Sequence, residues 1–284
     1  MGKNKTALVL EGGGMRGAYT AGALAWLVDN DIVFDNAYGI STGAVHLINY
    51  LMKSKDNLFY FSTEGIADKR LIGVNSFLRC GRIVDYDFLF DHMLPEELHF
   101  SMDLMKENKI NAYVGLYDLK VGKTKYYLLK DMDMQQLKAS TTLPILGKIV
   151  YHNGEELLDG GITDMIPINQ ALNDKCNRNL VITTKPADYV RKPAKKAIVS
   201  LMKRVYPQCE NISKDYAIRH LNYNNQISLI KKLEEDKQAV YIYPSKTSKV
   251  SRLSGSKQDL IDLYNLGYSD MENRREDILS LLKK

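Results

Sequence analysis

Short apolar runs and helix-like segments alternate along the first 52 residues of the chain. Residues 6–10 form a continuous apolar run of the length of a buried strand, and residues 18–28 have the composition and spacing of a helix. A second short strand is predicted from residue 34, before a helix that runs on through residues 47–52. This alternation of strands and helices predicts an α/β fold built on a mainly parallel sheet.

The remainder of the chain predicts more elements of the same two kinds. Residues 53–110 are less regular, and we expect short helices there over one end of the sheet, with most aromatic residues in the core. This region is also a candidate cap over a substrate. Further strands are predicted over 110–117, 125–129, 180–184 and 239–243, with a strand pair around 152–155, and helices over 133–139, 226–236 and 257–264.

Composition limits the class of protein. The 284 residues suffice for one large domain or two small ones, and 45% hydrophobic with 26% charged residues is ordinary for a globular protein. The net charge of +5 is too small to predict a nucleic-acid partner. Three distant cysteines, Cys80, Cys176 and Cys209, fit neither a disulfide framework nor a zinc site. Without a signal-peptide pattern or an apolar run of membrane-spanning length, we expect a soluble cytoplasmic protein.

Residues 39–43, Gly-Ile-Ser-Thr-Gly, match the nucleophile-elbow pattern of serine hydrolases. Gly39 and Gly43 flank Ser41 because a sharp turn with neighbouring chains close by leaves no room for a side chain at either position. Such a turn lifts the serine hydroxyl out of the sheet and directs the N-terminus of the next helix at developing negative charge. An ordinary strand-to-helix turn is the alternative interpretation of the same five residues.

A glycine-rich loop follows the first predicted strand and supports two interpretations. Its residues are Glu11, Gly12, Gly13, Gly14, Met15, Arg16 and Gly17. The glycine spacing satisfies the dinucleotide fingerprint, but no acidic residue follows the second strand, where that motif needs one for a ribose. As an oxyanion loop, the same glycines let several backbone N–H groups converge on one point. Arg16 then braces the loop or neutralises a substrate headgroup, unless it is a surface arginine at a helix start.

A carboxylate is predicted where a buried strand emerges, because an apolar run ends in Asp159, Gly160 and Gly161. An Asp-Gly pair is also a common turn. Together with Ser41 and the glycine loop, however, Asp159 completes the set that acyl hydrolysis needs: a nucleophile, a base and donors for the oxyanion. His220 is the sole histidine after Asp159, and it leaves a Ser–Asp–His triad open as an alternative.

These motifs, in this order, resemble those of the patatin-like phospholipase family, and the tail resembles that of a bacterial intracellular subgroup. The glycine loop is similar to the family's oxyanion loop, residues 39–43 to its elbow, and residues 159–161 to its Asp-Gly-Gly motif. Residues 139–144 match a segment that the family shows between elbow and aspartate. The resemblance implies a three-layer α/β/α fold and a Ser41–Asp159 dyad that cleaves lipid acyl esters with neither a metal nor a cofactor.

Two consequences of this resemblance concern the base and the pocket. An exposed aspartate with a pKa near 3.9 is a poor base for an alcohol, so the dyad requires that burial raise the pKa of Asp159. Met165 stands where many family members carry a small polar residue. That departure affects the pocket wall and leaves the dyad unchanged.

The composition shifts after residue 184, so we expect a catalytic core over residues 1–184 and a basic extension over residues 185–284, packed on the core within one structural domain. Residues 185–204 hold seven lysines and arginines and one aspartate, a net charge of +6. Apolar residues recur at helical spacing beside these charges between residues 189 and 205. This predicted basic helix is either docked on the core with a solvated face or a contact surface for an anionic membrane.

We therefore expect a serine acyl-ester hydrolase of the phospholipase or lysophospholipase type, whose partner is a lipid acyl-ester substrate. Acyl transfer from the same acyl-serine to an alcohol other than water is the enzymatic alternative. A catalytically silent lipid-binding or regulatory protein that retains the fold is the alternative from a different class. The sequence predicts no oligomeric state.

Overall fold

The apolar runs form the strands of one eight-stranded sheet in the computed structural model, which describes residues 4–283. The strands are β1 (Thr6–Leu10), β2 (Asn36–Ile40), β3 (Asn111–Asp118), β4 (Lys123–Leu128), β5 (Val150–His152), β6 (Glu155–Asp159), β7 (Arg178–Ile182) and β8 (Ala239–Ile242). The helices are α1 (Gly17–Asp29), α2 (Thr42–Leu51), α3 (Lys55–Tyr60), α4 (Val74–Cys80), α5 (Tyr86–Phe88), α6 (Asp103–Lys106), α7 (Met134–Thr141), α8 (Ile168–Asn173), α9 (Lys196–Val205), α10 (Glu210–Glu235), α11 (Lys257–Asn273) and α12 (Arg275–Leu282).

The centre of the sheet is parallel. Strands β3, β2, β1, β7 and β8 lie side by side in that order and run in the same direction. Antiparallel pairings of β3 with β4, β3 with β6 and β5 with β6 extend the sheet at its β3 side. The predicted mainly parallel sheet is confirmed, and the antiparallel strands make it a mixed one.

Alternate side chains of β1 pack against helices on opposite faces of the sheet. Leu8 and Leu10 belong to a core cluster that contains residues of α1, α2 and α11, whereas Ala7 and Val9 belong to a second cluster with residues of α8 and α10. Successive residues of a strand point to opposite faces, so a strand that is apolar throughout needs cover on both sides. The three-layer α/β/α fold is confirmed.

The ends of β2 and β6 lie next to each other along one edge of β3. β2 pairs with β3 as far as Ile40 opposite Gly115, and β6 pairs with the next residue, because Asp159 lies opposite Leu116. β4 takes the other edge of β3, so β2 and β6 share this one. The chain therefore leaves β2 at Ser41 close to the point where β6 ends.

The C-terminal half is more helical than the pattern predicted. α10 spans 26 residues, where a helix was predicted over 226–236 only, and α11 continues to Asn273 instead of ending at residue 264. The predicted end of α11 was wrong, because the helix continues through Gly267. Gly267 lets α11 touch α1, where an added Cβ would lie 2.0 Å from the Tyr19 carbonyl oxygen.

The basic helix predicted over 189–205 begins only at Lys196. Pro193 has no N–H for a helical hydrogen bond and disfavours the helical conformation of the residue before it, so residues 189–195 are irregular. The C-terminal half contributes β8 to the common sheet, and the predicted division at residue 184 stays a prediction. Within residues 4–283, no helix is both long enough and apolar enough to span a bilayer.

Candidate active site

Ser41 occupies a strained turn between β2 and α2. Its backbone has a φ of 56° and a ψ of −127°, which is uncommon for a residue with a side chain. Ser41 is also the N-cap of α2, so the first N–H groups of that helix, which lack intrahelical acceptors, lie beside it. Backbone strain of this kind concentrates at functional sites, and here it presents a half-buried hydroxyl at the end of the sheet.

Close backbone contacts explain the two glycines of the elbow. A Cβ on Gly43 would lie 2.9 Å from the carbonyl oxygen of Glu11, and a Cβ on Gly39 would lie 2.8 Å from the Cα atom of Ala44. Either contact is too short for a real side chain. Any larger residue at these positions would therefore push α2 away from the sheet and displace Ser41.

Asp159 is the last residue of β6 and is only 3% exposed. Its Oδ1 atom accepts a hydrogen bond of 2.7 Å from the Gly161 N–H, whereas its Oδ2 atom has no hydrogen-bond partner among the described residues. Burial raises the pKa of Asp159, and the Ser41 hydroxyl, the Gly161 N–H and the charges of Arg252 and Arg219 offset part of that rise. Asp159 therefore has the burial that an aspartate needs to act as a general base.

Ser41 and Asp159 line the same pocket. The Ser41 hydroxyl is near enough to lower the pKa of Asp159, yet the two side chains form no hydrogen bond of regular geometry. Long or misaligned contacts between catalytic groups are common in free active sites and tighten when substrate binds. Ser41 and Asp159 are therefore neighbours in one pocket.

Two N–H groups of the glycine loop already have acceptors. Gly12 donates to the Met165 carbonyl oxygen at 3.2 Å, and Met15 donates to the Arg252 carbonyl oxygen at 3.0 Å. Within residues 12–15, this leaves the N–H groups of Gly13 and Gly14 as candidate donors to the oxyanion. The loop lies against the serine, because a Cβ on Gly12 would be 2.9 Å from the Cβ atom of Ser41.

The loop continues into a tight turn over Gly14–Arg16, and α1 begins at Gly17. Arg16 is half-buried, and its Nε atom is buried without a hydrogen-bond partner among the described residues. Burial lowers the pKa of Arg16, while the charge of Glu11 raises it. Arg16 is therefore partly covered but is not among the described residues that line the pocket, and both interpretations of it stay predictions.

A buried ion pair supports the start of this loop, and the sequence did not predict it. The Glu11 carboxylate pairs with the Lys185 ammonium group and also accepts hydrogen bonds from the Thr184 N–H, at 2.6 Å, and hydroxyl, at 3.1 Å. Burial lowers the pKa of Lys185 to about 8, and Glu11 opposes that effect. The pair ties the glycine loop to the segment that follows β7.

The pocket around Ser41 is lined by residues of the glycine loop, the elbow and the region over residues 53–110. Most of its other lining side chains are apolar, and they include Val45, Phe61, Leu71, Val84, Leu89 and Met165. Several of them come from the irregular region over residues 53–110, the predicted candidate cap. A wall of this composition suits a hydrocarbon chain.

No histidine is among the described residues that line this pocket. His220 lies on α10, where its Nδ1 atom is 3.1 Å from the Ala217 carbonyl oxygen of the same helix. His46 is 1% exposed on α2, and burial lowers its pKa to about 3. Asp159 is the only carboxylate among the described lining residues.

Two arginines from the C-terminal half also line the pocket. Arg219 on α10 is 7% exposed, and its Nε atom donates a hydrogen bond of 2.6 Å to the Gly161 carbonyl oxygen. Arg252 is half-buried in the loop between β8 and α11. Neither was predicted as a site residue, because no motif or spacing in the sequence connects them with Ser41.

The sequence model of the family described as patatin-like phospholipase matches residues 8–172, more than half of the chain. The chain belongs to the patatin-like phospholipase family. The matched range contains Ser41, Asp159 and the glycine loop, and the family as a whole supports lipid acyl hydrolysis. The predicted family is confirmed.

A second sequence model, for a domain of unknown function named DUF6363, matches residues 209–283 of this patatin-like protein. That range contains α10, β8, α11 and α12. Arg219 and Arg252 therefore belong to the second range, outside the patatin-like match.

The patatin-like protein is also similar to YjjU of Escherichia coli K12, an uncharacterized protein. The two are 27% identical in an alignment 195 residues long, which covers 66% of this chain and 54% of YjjU. The chain thus spans about half the length of this curated relative, whose name assigns no activity.

Proposed function

We propose that this protein is a serine acyl-ester hydrolase that acts on lipids through a dyad of Ser41 and Asp159. One observation carries the proposal: an elbow serine and a buried carboxylate share an apolar pocket among whose described lining residues there is no histidine. The pocket wall then takes the acyl chain, and the ester carbonyl lies between Ser41 and the glycine loop.

In the proposed reaction, the Ser41 hydroxyl oxygen attacks the ester carbonyl carbon while Asp159 takes the hydroxyl proton. The N–H groups of Gly13 and Gly14, with those at the start of α2, stabilise the negative charge that develops on the carbonyl oxygen. The ester C–O bond breaks, the proton passes from Asp159 to the departing alcohol, and an acyl-serine remains. Asp159 then removes a proton from water, whose oxygen attacks the acyl carbon. The bond between the acyl carbon and the Ser41 oxygen breaks, the fatty acid leaves, and the proton passes from Asp159 to the Ser41 oxygen.

Burial makes Asp159 a credible base in this scheme. A carboxylate in water has too low a pKa to take a proton from an alcohol, and the apolar surroundings of Asp159 raise its pKa. Its unpartnered Oδ2 atom is free to receive the proton, because the Gly161 N–H occupies only Oδ1. Direct contact between nucleophile and base removes the need for a histidine relay.

Fluorophosphonate labelling with mass mapping tests the nucleophile. We expect one modified serine, Ser41, and no labelling of Ser41→Ala, while Ser101→Ala, which removes an exposed serine, is labelled like the unaltered protein. Melting temperatures should be similar in all three, and a panel of lipid esters then shows hydrolysis or acyl transfer from the products. Full labelling of Ser41→Ala at another serine would refute the assignment.

We also propose that the basic surface around α9 contacts an anionic membrane. Lys192, Lys195, Lys196, Lys203 and Arg204 are all exposed there. The apolar stripe of α9 is not fully covered, because Ile198, Leu201 and Val205 remain 37%, 41% and 44% exposed while Met202 is buried. An exposed apolar stripe beside several lysines is the composition of a helix that lies on an anionic lipid surface.

A further inference from the structure

Residues 209–283, the segment of unknown function, are in contact with the glycine loop and with the turn that follows Asp159. The Arg252 carbonyl oxygen accepts the Met15 N–H, and it lies so close to the loop that a Cβ on Gly14 would be 2.3 Å from it. Arg219 holds the carbonyl oxygen of Gly161, two residues after Asp159. Residues 209–283 therefore form part of the wall of the active site.

The two arginines that this segment brings to the pocket form no ion pair with any described residue. Within residues 4–283, neither Arg219 nor Arg252 forms an ion pair, and the same holds for Arg16 beside them. Asp159 is close enough for its pKa to be lowered by both pocket arginines, yet it lies beyond ion-pair distance. Glu11, the other nearby carboxylate, is committed to Lys185.

A buried unpaired arginine is costly, so its presence needs a physical reason. Among the described residues, Arg219 makes one hydrogen bond, through Nε, and its guanidinium lies 5.2 Å from the Tyr216 ring centre. Burial lowers the pKa of Arg219, and the charges of Arg252 and Arg191 lower it further, but a guanidinium stays charged at neutral pH. The remaining N–H groups of two guanidinium groups are thus available to an anion in the pocket.

We propose that residues 209–283 supply an anion-binding subsite, in which Arg219 and Arg252 hold a phosphate group that the substrate carries near its ester. Two planar guanidinium groups match the geometry of phosphate oxygens. This inference rests on the proposed hydrolase function and narrows its substrate to acyl glycerophosphates and related phospholipids over neutral acylglycerols. It also assigns a role to the segment of unknown function.

Two soluble substrates that share an acyl chain, 1-octanoylglycerol and its 3-phosphate, test the subsite without any membrane. We expect Arg252→Gln to lower the ratio of kcat/KM for the phosphorylated over the neutral substrate by roughly tenfold or more, the worth of a charged hydrogen bond. Arg252→Lys, which keeps the charge but loses the planar group, should be intermediate. Lys249→Gln removes an exposed charge from the same loop and should leave the ratio unchanged.

Calorimetric titration of the Ser41→Ala protein with glycerol 3-phosphate gives a readout that needs no turnover. We expect saturable binding that weakens by a similar factor when Arg252→Gln is added. Equal losses on both substrates, or no binding of glycerol 3-phosphate, would overturn the subsite. Hydrolysis of neither ester by the unaltered protein would instead refute the hydrolase, while the titration still decides whether the arginines bind phosphate.

Discussion

The two sides of the glycine loop differ in whether a buried positive charge forms an ion pair. Behind the loop, Lys185 is 6% exposed and paired with Glu11. On the pocket side, Arg219 is similarly buried but has no ionic partner among the described residues. Buried charges in folded proteins are normally paired, so the paired lysine has a structural role, whereas the unpaired arginine fits the proposed anion-binding subsite.

The two segments matched by family models also differ in which residues they contribute to the pocket. The candidate nucleophile, base and oxyanion donors all lie within residues 8–172, whereas both pocket arginines lie within residues 209–283. The first segment therefore holds the proposed chemistry, and the second holds the proposed substrate recognition. Variants on each side should affect different measurements.

The largest effect is expected on the chemical side, at the base. Asp159→Asn keeps the size of the side chain and an acceptor for the Gly161 N–H, but it cannot take a proton. We expect kcat to fall by about 10²–10⁴-fold or more, the usual contribution of a general base. Because His220 bonds within its own helix, His220→Ala should change kcat by less than about tenfold.

Hydrolysis of a soluble short-chain ester by both variants, with circular dichroism to check folding, decides between a dyad and a triad. An equally large loss in folded His220→Ala would establish the triad instead.

The next effect is a loss of stability when the buried ion pair between Glu11 and Lys185 is broken. Glu11→Gln leaves the buried Lys185 ammonium unpaired, and we expect a loss of about 3–5 kcal/mol in the free energy of unfolding. Adding Lys185→Met to the same protein removes the stranded charge and should restore much of that loss. Urea unfolding followed by fluorescence measures both.

Glu210→Gln is the matched control, because it breaks an exposed pair with Lys214 and should cost no more than about 1 kcal/mol. A similar small loss for Glu11→Gln would mean that the buried pair has no structural role.

A smaller effect is expected at the basic surface around α9. Reversal of Lys192, Lys195 and Lys196 to glutamate should weaken binding to anionic vesicles by at least about 100-fold at low salt, since each charge contributes about 1 kcal/mol. Turnover of a soluble ester should barely change. Vesicle sedimentation at low and high salt measures the effect, because the attraction is screened over about 8–10 Å.

The control reverses Lys231, Lys232 and Lys237, three exposed lysines at the end of α10 and just beyond it. Equal losses in the two triple variants would indicate a general charge effect, and unchanged binding would leave α9 as a docked helix with a solvated face.

The smallest effect is expected in the pH dependence of kcat/KM, through the influence of Arg252 on the pKa of Asp159. Activity requires the ionised form of Asp159, so kcat/KM should fall as the pH drops through the raised pKa of this group. The positive charge of Arg252 lowers that pKa, so Arg252→Gln should move the acid limb to higher pH, by about one unit or less. The pH profile of a neutral ester measures the shift, with Lys249→Gln as control. An acid limb that stays in place or moves to lower pH would contradict the proposed base.

Much of the fold and of the candidate site follows from local patterns. The apolar run of β1 is continuous because both faces of this strand are buried, and this makes it recognisable as a strand of a parallel sheet. The glycines around Ser41 are likewise a local signal, since close backbone contacts exclude larger residues there. Asp159 is recognisable because a buried strand ends at it.

Where local signals compete, the predictions failed at particular residues. The helix predicted over 257–264 continues through Gly267 to Asn273, and this glycine permits contact between α11 and α1. Pro193 delays the start of α9, although the apolar and basic pattern extends before it. Tertiary packing overrides local preference in the first case, and backbone sterics override side-chain pattern in the second.

The sequence alone was sufficient for the family, the layered fold and the positions of the candidate nucleophile and base, because each depends on neighbours within a few residues. The tertiary structure decided which glycine N–H groups remain as candidate donors, that Lys185 is paired with Glu11, and that Arg219 and Arg252 reach the pocket. These contacts join parts of the chain that are far apart in sequence. They depend on how β6, β7 and the C-terminal helices pack together at one end of the sheet. No local pattern of residues predicts that arrangement.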